Sequence, residues 1–96
     1  MPSVRIPTPL RNLTGGLNKV DVAAGTIGEL VQALDNAHPG FADRILDEDG
    51  ELRRFVNIYV DGEDIRFSNG FDTAVEDGNE VSIVPSVAGG GIFATG

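Results

Sequence analysis

The 96-residue chain contains no cysteine, which excludes a disulfide framework, a thiolate nucleophile and any cysteine-ligated metal. Histidine occurs once, as His38, with no evident Asp or Cys partner in sequence, so it reads as a helix-terminus residue rather than a catalyst or ligand. Basic residues are scarce: seven Lys and Arg stand against fifteen Asp and Glu, for a net charge of −8. Affinity for a phosphate backbone comes chiefly from Lys and Arg, so nucleic acid is not an expected partner. No segment approaches the roughly 18 apolar residues of a membrane span. Met1-Pro2-Ser3-Val4-Arg5 lacks the apolar run of a signal peptide, so a cytoplasmic location without membrane contact is the expectation. Walker A, His-Glu-x-x-His and Gly-x-Ser-x-Gly motifs are all missing, which removes the usual routes to a self-contained active site.

What is present suits one small domain. With 41% hydrophobic and 23% charged residues the chain has the composition of a globular protein. At this length roughly 60 to 65% of the unfolded surface becomes buried, enough for one core and too little for two. The charge is uneven. Residues 1–42 hold three acids and three bases, residues 43–80 hold twelve acids and four bases, and residues 81–96 hold none. The acidic middle has two readings, a face that steers the chain toward a basic partner or simply a solvated surface. A calcium loop is not among them: aligning Gly50 with the EF-hand glycine puts Ile45 and Val56 where carboxylates are required.

Period and turn signals order the elements. Ser3-Val4-Arg5-Ile6-Pro7 alternates as a half-buried strand with Val4 and Ile6 inward, and Pro7 and Pro9 limit its pairing. Thr14-Gly15-Gly16 reads as a turn, after which Lys19-Val20-Asp21-Val22 alternates again and pairs with the first strand. Thr26-Ile27-Gly28-Glu29 fits a capping box, and Ile27, Leu30, Val31 and Leu34 make one apolar stripe, predicting a helix over about 27–37. Pro39-Gly40 stops it, a short helical turn follows over Phe41 to Leu46, and 47–51 is a polar loop. Phe55 to Val60 is the strongest strand signal, with Val56, Ile58 and Val60 on one face and Phe55, Asn57 and Tyr59 on the other. Asp61-Gly62 predicts a type I′ hairpin returning through a short strand at Ile65-Arg66-Phe67, and Asp77-Gly78 turns into a last strand, Glu80 to Val84. A hairpin, a helix crossing back and a mixed sheet of four to five strands make an α+β chain of the β-grasp type.

The end of the chain differs from everything before it. From Pro85 onward there is no charge and no Asn or Asp, and four glycines occur in twelve residues. Glycine has little bulk, so Gly89 to Gly91 could lie extended in a slot too narrow for a side chain. Five steps from Pro85 to Gly90 reach up to about 18 Å from the domain. Gly89-x-Gly91-x-x-Ala94 formally meets the relaxed dinucleotide fingerprint, but that motif needs a helix directly after it and the sequence here runs only two residues further. The tail is therefore a tether or a substrate for another protein's active site.

Three runs carry a family resemblance: Phe55-Val56-Asn57-Ile58-Tyr59-Val60-Asp61-Gly62, Asp77-Gly78-Asn79-Glu80-Val81-Ser82-Ile83-Val84-Pro85, and Val87-Ala88-Gly89-Gly90. Over about residues 3–90 the chain resembles the MoaD/ThiS group of ubiquitin-like sulfur carriers, and most of all the branch that donates sulfur for cysteine synthesis. The resemblance implies a carrier rather than an enzyme, with a β-grasp domain over 1–88 and a tail over 89–96. It places the acyl-adenylate and then the thiocarboxylate on Gly90. It also implies three partners: an adenylating, sulfur-transferring enzyme of the ubiquitin-activating type that uses ATP, a pyridoxal-phosphate-dependent cysteine synthase or other acceptor enzyme, and a JAMM-type zinc protease. No cofactor would be held stably by the carrier itself, which is expected to be a monomer when free. Members of the family end at Gly-Gly, whereas Gly91-Ile92-Phe93-Ala94-Thr95-Gly96 follows here, so Gly90 has no free carboxylate. Cleavage after Gly90, or after Gly91 given the triple glycine, is the expectation, with Val87, Ala88 and Gly89 as the tail leading to it. Sulfur delivery to molybdopterin or thiamine, a protein modifier and a plain interaction module are the alternatives. For a partner surface, Phe55, Tyr59 and Val84 are the candidates on the outer sheet face, where ordinary cross-strand packing accounts for them equally well.

Overall fold

A computed structural model describes residues 1–85. The strands are β1 (Ser3–Arg5), β2 (Lys19–Asp21), β3 (Val56–Val60), β4 (Glu63–Asp64) and β5 (Glu80–Pro85), and the helices are α1 (Ile27–Ala37) and α2 (Phe41–Ile45). All five strands form one sheet in the order β2-β1-β5-β3-β4. The β1 and β5 strands are parallel and every other neighbouring pair is antiparallel, the mixed sheet of a β-grasp. The last strand therefore enters the middle of the sheet, hydrogen-bonded on both edges.

Local chemistry explains why α1 lies where it does. The Thr26 hydroxyl accepts from the Glu29 N–H at 3.2 Å, filling one of the orphan donors of the first turn. The return leg differs from the capping box expected: the Glu29 carboxylate accepts from the Gly25 N–H at 2.8 Å rather than from Thr26, one residue further out. Ile27, Leu30, Val31 and Leu34 are all buried, and they share one core with Val4 and Ile6, Val56 and Ile58, and Val81 and Ile83. The helix ends at His38, whose N–H bonds the Leu34 carbonyl at 2.8 Å and whose ring meets Phe41 edge-on with centroids 6.4 Å apart. Phe41 and Ile45 of α2 close the same core.

The hairpin at Asp61-Gly62 forms as expected, with φ of 51° and 90° at the two turn residues, both in the left-handed region that a type I′ turn requires. Its returning strand is Glu63–Asp64, not Ile65-Arg66-Phe67. Asp64 Oδ1 accepts from the Arg66 N–H at 2.8 Å and caps a single 3-10 turn over Ile65–Phe67, which ends the strand and turns Ile65 into the core. A second departure is a 3-10 helix over Thr8–Thr14, with Pro7 at its N-cap and Pro9 in its first turn, stopped by Gly15 at φ 70°, which places Leu10 in the core. Proline at a helix start needs no N–H, so the residue that limits β1 also begins this helix.

Candidate functional site

The strand that leads to the glycine tail is the most firmly seated in the sheet. Its register runs Val56 opposite Pro85 through Val60 opposite Val81 on one edge, and Ser3 opposite Glu80 through Arg5 opposite Ser82 on the other. Val81 and Ile83 point into the core, while Ser82 and Val84 face outward, Val84 being 42% exposed. Whatever pulls on the tail therefore pulls on a central strand with partners on both edges. Val87, Ala88, Gly89, Gly90 and Gly91, on which the chemistry was placed by sequence, lie outside the described residues.

The outer face reads straight across the sheet. One row is Lys19, Arg5, Ser82, Tyr59 and Asp64, and the next places Val84 opposite Asn57. Two of the three surface candidates are thus brought together, since Tyr59 and Val84 lie diagonally on paired strands; Tyr59 is half-buried. Phe55 needs correction. Strand β3 begins at Val56, and Phe55 sits in a turn closed by Val56 N–H to Arg53 carbonyl at 3.0 Å, so strand alternation does not assign its face. It is 51% exposed.

A further aromatic was missed. Phe67, read from sequence as a strand residue, is 85% exposed at the end of the 3-10 turn. Arg66 ties its segment to the turn that carries Phe55. The guanidinium donates to Asn57 Oδ1 at 2.6 Å, to the Arg53 carbonyl at 2.9 Å and to the Val56 carbonyl at 2.8 Å. Planar guanidinium geometry suits such a many-point clamp, and a lysine could not reproduce it.

Nothing in the described residues looks built for catalysis. Among them no group of three or more His, Cys, Asp or Glu side chains is placed to hold a metal ion. The Asp77 carboxyl is held below the usual range by the hydrogen bond and charge of the Met1 ammonium beside it, and it is exposed. No helix among the described residues is long and apolar enough to cross a membrane.

A small β-grasp domain whose central strand is followed in sequence by Val87-Ala88-Gly89-Gly90 has the form of a ubiquitin-like carrier. The chain belongs to the ThiS family, whose match spans residues 4–90. It is 47% identical over 90 residues to the sulfur carrier protein CysO of Mycobacterium tuberculosis, covering 92% of this chain and 97% of that one. The crystal structure of the Amycolatopsis orientalis BexX/CysO complex contains a chain that superposes with a TM-score of 0.87 at 41% identity, over 94% of this chain and all of that one. Similarity extends to small archaeal modifier protein 3 of Haloferax volcanii, 38% identical over 65 residues, covering 68% of this chain and 70% of that protein.

Proposed function

We propose that this chain is the precursor of a sulfur carrier that works through the carbonyl of Gly90, in the branch that supplies sulfur for cysteine synthesis. The observation that carries the reading is where the family match stops. It ends at residue 90, the second glycine of Val87-Ala88-Gly89-Gly90, and leaves Gly91 to Gly96 outside. Hydrolysis of the Gly90–Gly91 bond by a zinc protease of JAMM type adds water across the amide and frees the Gly90 carboxylate. A carboxylate is a poor acyl donor, so a partner of the ubiquitin-activating type transfers AMP from ATP to it, releasing pyrophosphate and creating a leaving group. Sulfide then displaces AMP, which leaves as the free nucleotide, and forms a thiocarboxylate, a nucleophile at neutral pH. Attack of that sulfur on an aminoacrylate held by a pyridoxal-phosphate enzyme forms the carbon–sulfur bond of a cysteine still joined to the Gly90 acyl group, and hydrolysis by a metalloprotease adds water across that acyl bond, freeing cysteine and restoring the Gly90 carboxylate.

The two glycines fit this sequence of enclosed sites, because a Cβ beside the reacting carbon would obstruct each of them. Similarity to the mycobacterial sulfur carrier supports the cysteine branch. Intact-mass measurement tests it. After exposure to host extract, a species ending at Gly90 is expected, and in the presence of ATP, sulfur donor and adenylating enzyme it gains the mass difference of one sulfur replacing one oxygen. Failure to find any form ending at Gly90 or Gly91 would refute the precursor reading.

The similarity to an archaeal modifier favours a second reading, in which the activated Gly90 carbonyl is captured by lysine amines of other proteins. Conjugates heavier than the carrier on a denaturing gel, with no thiocarboxylate formed, would select it.

A further inference from the structure

Three of the seven basic residues meet at one place on a chain of net charge −8. Arg5 on β1, Lys19 on β2 and Arg11 on the Thr8–Thr14 helix line a single hollow of about 280 Å³ with Asn18 and Glu80. One acid serves two of these cations, and loosely: Glu80 stands 3.9 Å from Arg5 and 3.7 Å from Lys19, all three side chains being substantially exposed. Arg11 spends its Nε on the Ile6 carbonyl at 3.1 Å, and among the described residues no acid lies within ion-pair distance of it. The site is therefore locally positive while the rest of the surface is strongly acidic. It also continues into a groove of about 440 Å³, which shares Arg5 and Arg11 and is walled by Pro7, Pro9, Val84 and Pro85.

Position gives this island its meaning. Pro85 begins the run to Gly90, five steps that extend at most about 18 Å. Any enzyme that holds the Gly90 carbonyl must then cover surface close to Pro85, and the groove there is lined by Arg5 and Arg11 of the island. An acidic patch on that enzyme would meet three cations set against one acid here, so the contact would orient the tail as well as attract it. We infer that Arg5, Arg11 and Lys19 form the docking contact for an acidic surface of the adenylating enzyme, with Val84 and Pro85 supplying the apolar part beside it. This rests on the carrier reading and adds where the partner sits and what charge it bears.

The test uses the full chain and the host's adenylating enzyme, with binding followed by titration calorimetry at several salt concentrations. The R5Q/K19Q variant leaves the Arg11 bond intact, and R5Q/R11Q/K19Q removes the whole island; thermal melting establishes that each is folded. Binding of the wild type should weaken steeply with salt. At low salt the double variant should bind about tenfold more weakly and the triple about thirtyfold, with a flattened salt dependence, as expected for lost rim charges. An R44Q control, changing a cation on α2, should bind as the wild type does. Undiminished binding by the triple variant, an equal loss in the control, or no binding by the wild type would each overturn the inference. So would island-dependent binding of ATP to the carrier alone, which would make the site an anion pocket instead. Normal docking without any acyl-adenylate on a chain ending at Gly90 would instead refute the carrier reading and leave the docking contact standing.

Discussion

Adjacent residues of β5 should respond to truncation in opposite ways. Ile83 is 2% exposed and pairs with the fully buried Ile58 on β3, whereas Val84 points outward opposite Asn57. Ile83→Ala removes three carbons from a packed interior that can relax only partly, so the transfer loss and the residual cavity together should cost about 2–4 kcal/mol. A domain of this size is stable by roughly 5–14 kcal/mol, so one substitution removes a large fraction of the total. With about 4–8 °C lost per kcal/mol, melting should fall by roughly 10–25 °C. Val84→Ala, on a side chain already in water, should cost only about 0.5 kcal/mol or less. Urea unfolding followed by circular dichroism reads both, and an unchanged slope would show that the denatured state is the same. In an adenylation assay below the melting range the ranking should invert, Ile83→Ala retaining activity and Val84→Ala raising KM. A one-residue slip of β5 would exchange the two faces. Equal destabilisation by the two variants, or a cost below about 1 kcal/mol for Ile83→Ala, would therefore refute the register on which the outer face was built.

Arg66→Met should destabilise by about 1–2 kcal/mol through loss of three hydrogen bonds made by a largely exposed guanidinium, and should speed amide exchange selectively around 53–57; a uniform change in exchange would count against the clamp. Gly40→Ala meets both a left-handed backbone at φ 111° and the Leu13 Cδ2 atom 2.9 Å from the new methyl. A loss of about 1–3 kcal/mol is expected in chemical denaturation, and adding Leu13→Ala should not restore it fully because the backbone strain persists. Asp77 has its folded pKa depressed by the Met1 ammonium, so its small contribution is present above the ordinary carboxylate pKa and disappears as pH falls through the lower folded value. Asp77→Asn should accordingly reduce stability slightly at neutral pH and have no effect in strong acid; a loss that persists in acid would contradict this origin.

The parts legible beforehand are those whose cause lies within a few residues. Thr26 marked the start of α1, the stripe from Ile27 to Leu34 its buried face and Pro39-Gly40 its end, and Asp61-Gly62 marked a turn whose positive φ values few other pairs adopt without strain. Alternation placed Val81 and Ile83 inside and Val84 outside, because strand side chains repeat every second residue whatever the partner strand. The same rule failed at Ile65-Arg66-Phe67, where the Asp64 cap overrode it, and at Phe55, where a turn interrupts the alternation one residue before β3.

Family membership and the Gly-Gly motif were also visible in sequence, since both are matters of residue identity. Tertiary structure alone decided which strands are neighbours. Residue period assigns a side chain to a face but says nothing of what lies across the hydrogen bonds. Only the insertion of β5 between β1 and β3 puts Glu80 and Ser82 beside Ser3 and Arg5, more than seventy residues away in sequence. Arg5, Arg11 and Lys19 look unremarkable in a balanced N-terminal segment. Their convergence in one hollow, with Arg5 and Arg11 also lining the groove that reaches Pro85, exists because long-range pairing buries the apolar faces, and that burial brings distant charges together.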